Sequence, residues 1–163
     1  MTTPKLVIFD VDGTLHATKS GGQFRETADD WEWMPGRLEK LAQLREQGAM
    51  IALCTNQRGV CFPWSKFTEE QIQMMLDACA AEIGASIVKV SYASTHAKAL
   101  DKYRVAVDER SKPAGTMVKE ILDETGIAKE GALFVGDRDE DKACAEAAGV
   151  AFQWAKDFFE DQQ

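Results

Sequence analysis

Five residues carry the chemistry this chain could do: Asp10 and Asp12, then Thr55, Lys112 and Asp137. Asp10 ends the apolar run Leu6 to Phe9. Thr55 ends the run Met50 to Cys54. Asp137 follows the run Ala132 to Val135 through Gly136. Three carboxylates gathered in one crevice repel one another unless a cation sits between them. Hard oxygen donors, with no thiolate and little imidazole nearby, suit Mg²⁺, which readily keeps water and phosphate oxygens as further ligands. That points to a phosphorylated substrate. A carboxylate can attack phosphorus and form an aspartyl-phosphate, splitting one hard step into two. Carboxylates sharing a field take different roles. Asp10 reads as the ionised nucleophile. Asp12 reads as the general acid, later the base on the hydrolytic water. Thr55 offers a hydroxyl to the phosphate, and Lys112 a fixed positive charge. Pro113 is expected to open a helix directly after Lys112, where free N–H groups favour phosphate.

The elements that must position these residues alternate along the chain. Short apolar runs at Leu6–Phe9, Met50–Cys54, Ile87–Tyr92, Ala132–Val135 and Val150–Phe152 read as buried strands. Between them lie helical patterns. Pro35 to Gly48 carries Leu38, Leu41 and Leu44 as its apolar stripe. Thr68 with Gln71 forms a capping box for a helix that runs to Ile83 and ends at Gly84. Pro113 to Gly126 and Lys142 to Ala148 supply two more. Strand–helix alternation predicts an α/β, Rossmann-like fold: a parallel sheet of about five strands with helices on both faces. In such sheets the ligand crevice lies at the carboxyl ends of the strands, where Asp10, Thr55 and Asp137 fall. The stretch 16–34 has no clean period and reads as a flap. Loops 57–67 and 94–111 would shape the pocket. Trp154, Phe158 and Phe159 suggest a docked terminal turn.

With 163 residues, 45% of them hydrophobic, the chain fits one compact domain over 1–163. Its net charge of −8 opposes loose binding to nucleic acid or anionic membrane. No apolar run approaches the ~20 residues that span a bilayer. The start, Met1-Thr2-Thr3-Pro4-Lys5, lacks the apolar stretch of a signal peptide. Cys54, Cys61, Cys79 and Cys144 have no zinc-like spacing and read as reduced thiols of a cytoplasmic protein.

Four motifs in order resemble the haloacid dehalogenase superfamily: Asp10-Val11-Asp12-Gly13-Thr14, Thr55 in Cys54-Thr55-Asn56-Gln57, Lys112 in Ser111-Lys112-Pro113, and Gly136-Asp137 with Asp141 four residues on. The second acidic position, here Asp12, marks that superfamily's phosphatases and phosphotransferases. The resemblance implies Mg²⁺ held by Asp10, Asp137 and the backbone carbonyl of Asp12, with Asp141 supporting the metal or Lys112. Thr55-Asn56-Gln57 and Lys112-Pro113 are similar to the small, cap-poor subgroup. Its members include histidinol-phosphate phosphatases, heptose bisphosphate phosphatases and polynucleotide 3′-phosphatase domains. Two features depart from it. Tyr92 to Ser111 holds His96 but no cysteine, so the subgroup's zinc loop is not expected. Ser111 stands where arginine often precedes the lysine. No segment is long enough for a separate cap domain, so a partner subunit could also close the site.

Asn56, Arg58, Arg110 and Arg138 are candidate substrate contacts, with ordinary surface charge as the alternative for the arginines. His16 and His96 read as polar loop residues. Trp31, Trp33, Phe62 and Trp64 read as aromatics packing the flap onto the core, with stacking on a sugar or base as the alternative. Asp139 and Glu140 read as a solvated helix start. The expected activity is hydrolysis of a small phosphorylated metabolite such as a sugar phosphate. The alternatives are a polynucleotide 3′-phosphatase and a catalytically idle binding protein on the same fold.

Overall fold

In a computed structural model, residues 3–161 are described. Met1 and Thr2, part of the stretch read as lacking a signal peptide, lie outside that range, as do Gln162 and Gln163. The core is a five-stranded parallel sheet in the order β5-β4-β1-β6-β7. Its strands are β1 (Leu6–Phe9), β4 (Met50–Asn56), β5 (Ile87–Ser91), β6 (Ala132–Gly136) and β7 (Ala151–Trp154). A short antiparallel pair, β2 (His16–Ala17) and β3 (Glu32–Trp33), closes the base of the flap. The helices are α1 (Arg37–Glu46), α2 (Glu69–Ile83), α3 (Thr116–Thr125), α4 (Asp139–Ala148) and α5 (Ala155–Phe158).

Strand geometry sends successive side chains to opposite faces. Val7 and Phe9 therefore join a core with Leu41 and Leu44 of α1, Ile72 and Leu76 of α2, and Phe158 of α5. Leu6 and Ile8 face Met117, Val118 and Ile121 of α3 and Cys144 of α4. Both faces of β1 are covered, which is why it reads as an unbroken apolar run. Beyond β1 the chain builds outward through β4 and β5 on one side and through β6 and β7 on the other. β1 thus borders the topological switch point where open α/β sheets bind ligands. Register completes the alignment. Phe9 lies level with Leu53 and with Val135, so Asp10, Thr55 and Asp137 emerge side by side.

Several elements differ from the sequence reading at their ends. α2 begins and ends as expected: Thr68 and Gln71 exchange the two capping hydrogen bonds and Gly84 closes the helix. α1 does not start at Pro35. Gly36 turns left-handed at φ 80 and the helix begins at Arg37. Leu38 is 39% exposed, and the buried place on that face belongs to Arg37. Its Nε donates to the Thr14 carbonyl at 2.8 Å, its guanidinium pairs with Asp161, and it lies over the Phe159 ring. Pro113 does not open α3, which starts at Thr116 after Gly115. A side chain at Gly115 would stand 2.9 Å from the Ala148 backbone nitrogen, so close packing against the end of α4 fixes where α3 can begin. α4 starts at Asp139, three residues before the expected Lys142. No helix of the described residues is long and apolar enough to cross a membrane.

The flap folds on itself and onto the core. The Asp30 carboxylate accepts from the Ser20 N–H, the Ser20 hydroxyl and the Glu26 N–H. Those hydrogen bonds, the Ser20 hydroxyl first, hold its pKa down at about 2. Trp31 stacks on His16, and Trp33 meets the same ring edge-on while its Nε1–H donates to Glu82. Trp31 and Trp33 pack as expected. Phe62 and Trp64 instead stack on each other, with Trp64 exposed.

Candidate active site

The end of β1 delivers Asp10 into a closed polar network. Its Oδ1 accepts from Lys112 Nζ at 2.8 Å and its Oδ2 from the Thr14 hydroxyl at 3.1 Å. Lys112 is 1% exposed. Besides Asp10, its ammonium donates to Asp141 Oδ1 at 2.7 Å and to the Cys54 carbonyl at 3.1 Å. A lysine has three donors, and all three are committed. Lys112 therefore serves Asp10 and Asp141 in this state and has no donor left to grip a phosphate.

Asn56 explains how Lys112 is aimed. Its amide donates to the Lys112 carbonyl and accepts from the Lys112 N–H, each at 3.0 Å. Expected at the substrate, Asn56 borders the pocket but spends its side chain holding the lysine backbone. Asp141, the first turn of α4, uses its other oxygen to accept the N–H groups of Asp137 and Arg138 at 3.1 Å each. It thereby orients the β6–α4 turn that presents Asp137. Gly136 must be glycine there, since a Cβ would stand 2.5 Å from the Asp141 Cβ.

Burial pushes the Asp10 pKa up to about 7, and Asp137 adds to the rise while Lys112 opposes it. Burial and Asp10 raise Asp141 in the same way, against Lys112. Burial works to lower Lys112, but Asp10 and Asp141 overcome it and hold the ammonium charged. The surplus of negative charge is what a cation would relieve. Asp10, Asp137 and Asp141 each offer an oxygen, all within 4.8 Å of one another. This all-oxygen set fits a hard divalent ion such as Mg²⁺. Asp141 already spends both oxygens on Lys112 and the backbone, which suits it to a supporting place.

Asp12 lies at the pocket mouth with its side chain 45% exposed. Arg25 of the flap pairs with Oδ1, and Gln57 donates to Oδ2 at 2.8 Å. Gln57 also donates to the Thr55 hydroxyl at 2.9 Å. The pocket holds about 620 Å³ and is lined by Asp10, Asp12, Thr55, Asn56, Arg58, Lys112 and Arg138, with Phe24, Trp31 and Phe67 on its apolar side. Arg58 reaches the Ala93 carbonyl, Asp108 and Glu140. Arg110 is not in the lining. It forks onto Glu120 of α3 and touches the Val90 carbonyl, so the expectation of a substrate contact gives way to a structural ion pair. His16 is not a polar loop residue but is buried between Trp31 and Trp33. Burial lowers its pKa to about 4, so it is neutral at pH 7. Thr14, Arg25 and Gln57 escaped the sequence reading as site residues. Thr14 and Gln57 stand inside the quoted motifs, but Arg25 carries no local signal.

Gly13 offers a sharp test of this packing. Its φ is +85, and an added Cβ would fall 2.1 Å from Asp137 Oδ2. Gly13→Ala should displace Asp137 and lower kcat/KM roughly 100-fold, the scale of a 1 Å misplacement. Steady-state kinetics check this, and a wild-type value would mean that Asp137 is not held where the site needs it.

The parallel sheet with its carboxylate-bearing strand ends has the fold of a solved putative haloacid dehalogenase-like phosphatase from Mesorhizobium loti, at a TM-score of 0.70 and 19% identity over 93% of this chain and 71% of that one. The chain belongs to the polynucleotide kinase 3 phosphatase family, whose model matches residues 5–159. It is 30% identical over 152 residues to the D-glycero-β-D-manno-heptose-1,7-bisphosphate 7-phosphatase of Pseudomonas putida, across 90% of this chain and 79% of that one. It is also 30% identical over 168 residues to the bifunctional polynucleotide phosphatase/kinase of Schizosaccharomyces pombe, across 96% of this chain and 38% of that protein. The fold matches the crystal structure of the D,D-heptose 1,7-bisphosphate phosphatase of B. bronchiseptica complexed with magnesium and phosphate. There the TM-score is 0.73 at 22% identity, covering 91% of this chain and 78% of the other.

Proposed function

We propose that the chain is a single-domain, Mg²⁺-dependent phosphomonoester hydrolase for a small sugar phosphate, acting through an aspartyl-phosphate on Asp10. The observation that carries this reading is Asp10, held through one oxygen by Lys112 and the other by Thr14. Asp10 attacks phosphorus. The bond from phosphorus to the leaving oxygen breaks, and that oxygen keeps the electron pair and takes a proton from Asp12. Asp12, now ionised, takes a proton from water, whose oxygen attacks phosphorus and frees Asp10 and inorganic phosphate. Mg²⁺ held by the carboxylates of Asp10 and Asp137 and the backbone carbonyl of Asp12 would offset their charge and that of the phosphoryl oxygens. Thr55 binds the phosphate, and Arg58 and Arg138 meet the rest of the substrate at the mouth. Asp141 holds Lys112 in register.

A pocket of about 620 Å³ suits a metabolite, within the roughly 300–1,000 Å³ of small-molecule sites. The heptose bisphosphate phosphatase relatives favour a sugar bisphosphate. The fission-yeast relative and the family's description keep a 3′-phosphorylated polynucleotide as the second reading, supported by the exposed Phe24 at the pocket rim. Four buried free cysteines support a reducing, cytoplasmic setting. The test is a panel of sugar phosphates, sugar bisphosphates, nucleotides and 3′-phosphorylated DNA, each with Mg²⁺ and with chelator. Sugar phosphates should be hydrolysed only with Mg²⁺. Faster release from the DNA would install the second reading, and hydrolysis in chelator would contradict the metal.

A further inference from the structure

We propose that Arg25 is a positioning residue for Asp12, through which the flap orients the acid–base carboxylate over the pocket. The inference rests on Asp12 having the role given above. Arg25 sits in the exposed loop between β2 and β3, where a long cationic side chain ordinarily extends into water. Its side chain is instead 6% exposed. One terminal nitrogen donates to the Ala28 carbonyl at 3.3 Å, and the other reaches Asp12 Oδ1.

The backbone that aims it is fixed from both sides. Asp30 holds the neighbouring Glu26 N–H at 2.9 Å along with both donors of Ser20. The Glu26 carboxylate is tied to Lys66 in the loop after β4. The opposite oxygen of Asp12 is held by Gln57, from that same loop. The two oxygens of Asp12 are thus each fixed by a different segment, Oδ1 by the flap and Oδ2 by the post-β4 loop. A half-exposed carboxylate with neither partner would rotate freely. With both, its plane is set, and that orientation depends on the flap lying closed. The Asp12 end of the pair is half-exposed and screened by water, so the value of the pair lies in geometry more than in stability.

Two other roles are separated from this one by experiment. Arg25 lines the pocket, and Ala28 and Asp12 take only two of its five N–H donors, so a substrate grip is the rival role, which would show as a rise in KM. A purely structural residue would not touch the acid–base group. The test uses Arg25→Met, which keeps the apolar stem and removes the guanidinium, beside Arg25→Lys, Asp12→Asn and the double variant Asp12→Asn/Arg25→Met. The probes are 4-nitrophenyl phosphate, whose leaving group departs without a proton, and the sugar phosphate that the wild-type protein hydrolyses fastest. Arg25→Met should lower kcat on the sugar phosphate at least about tenfold, a part of the 10²–10⁴ that general acid–base catalysis supplies. KM should stay within about twofold, and the first-turnover burst of 4-nitrophenol should keep its wild-type rate. Arg25→Lys should recover part of the loss, and the double variant should be no slower than Asp12→Asn.

Equal losses on both probes, a rise in KM with kcat unchanged, or a double variant slowed by the product of the single effects would overturn the proposal. An impaired Asp12→Asn beside an Arg25→Met indistinguishable from wild type would also overturn it while sparing the reading of Asp12. Full activity of Asp12→Asn on the sugar phosphate would remove the acid–base reading itself, and this inference with it.

Discussion

Asp10→Asn should abolish turnover, by about four orders of magnitude or more, the scale on which loss of a catalytic nucleophile is felt. The amide keeps the shape of the carboxylate and can still accept from Lys112, but it cannot attack phosphorus. The fold should survive the change. Burial raises the Asp10 pKa from 3.8 to about 7 in the metal-free protein. The sign follows from linkage: a raised carboxylate pKa costs nothing below pH 3.8, and its cost grows as pH rises to about 7. Above that pH the ionised group is a net burden beside Asp137, and asparagine lifts it. In chelator at pH 8 the variant should therefore melt at or above the wild-type temperature. An inactive variant that is also unfolded would not support the assignment, and an active one would refute it.

Lys112→Met should be the most damaging substitution for stability. It removes the cation that stands between Asp10 and Asp141 and leaves two buried carboxylates facing each other. Removing one partner of a buried pair costs about 3–5 kcal/mol, because the other charge stays in a poor solvent. The Cys54 carbonyl also loses a donor. Urea unfolding in chelator at pH 7 should show that loss, and activity should vanish with it. The double variant Lys112→Met/Asp141→Asn should recover part of the stability, since it removes one uncompensated charge. A cost below about 1 kcal/mol for Lys112→Met would mean that the charge network is solvated rather than buried.

What was legible in the sequence follows the physics of each feature. β1, β4 and β6 could be read because a strand covered on both faces must be apolar throughout, and each run stops where the chain meets the crevice. Asp10, Thr55 and Asp137 stood at those stops, and parallel register does the rest. The capping box at Thr68 was legible because both partners lie within one turn. The starts of α1 and α3 were not. Proline at a first helical position is a local preference, and it lost at Pro35 to the left-handed turn at Gly36 and at Pro113 to the packing of Gly115 on α4. Long-range polar contacts leave no periodic trace. Arg37 is buried because Thr14 and Asp161 supply acceptors distant in sequence. Arg110 lies near the lysine motif in sequence but is captured by Glu120. Arg25 meets Asp12 only because the flap folds back, and nothing in the stretch 16–34 announces that.

Phosphorylation of Asp10 during turnover can be observed by mixing the protein with Mg²⁺ and substrate, quenching in acid within the first turnovers, and mapping the peptides by mass spectrometry. A phosphoryl group is expected on Asp10 in the peptide that carries Phe9-Asp10-Val11-Asp12, and none in Asp10→Asn. Rapid phosphate release with no labelled peptide, or a label on Asp12 or elsewhere, would contradict it.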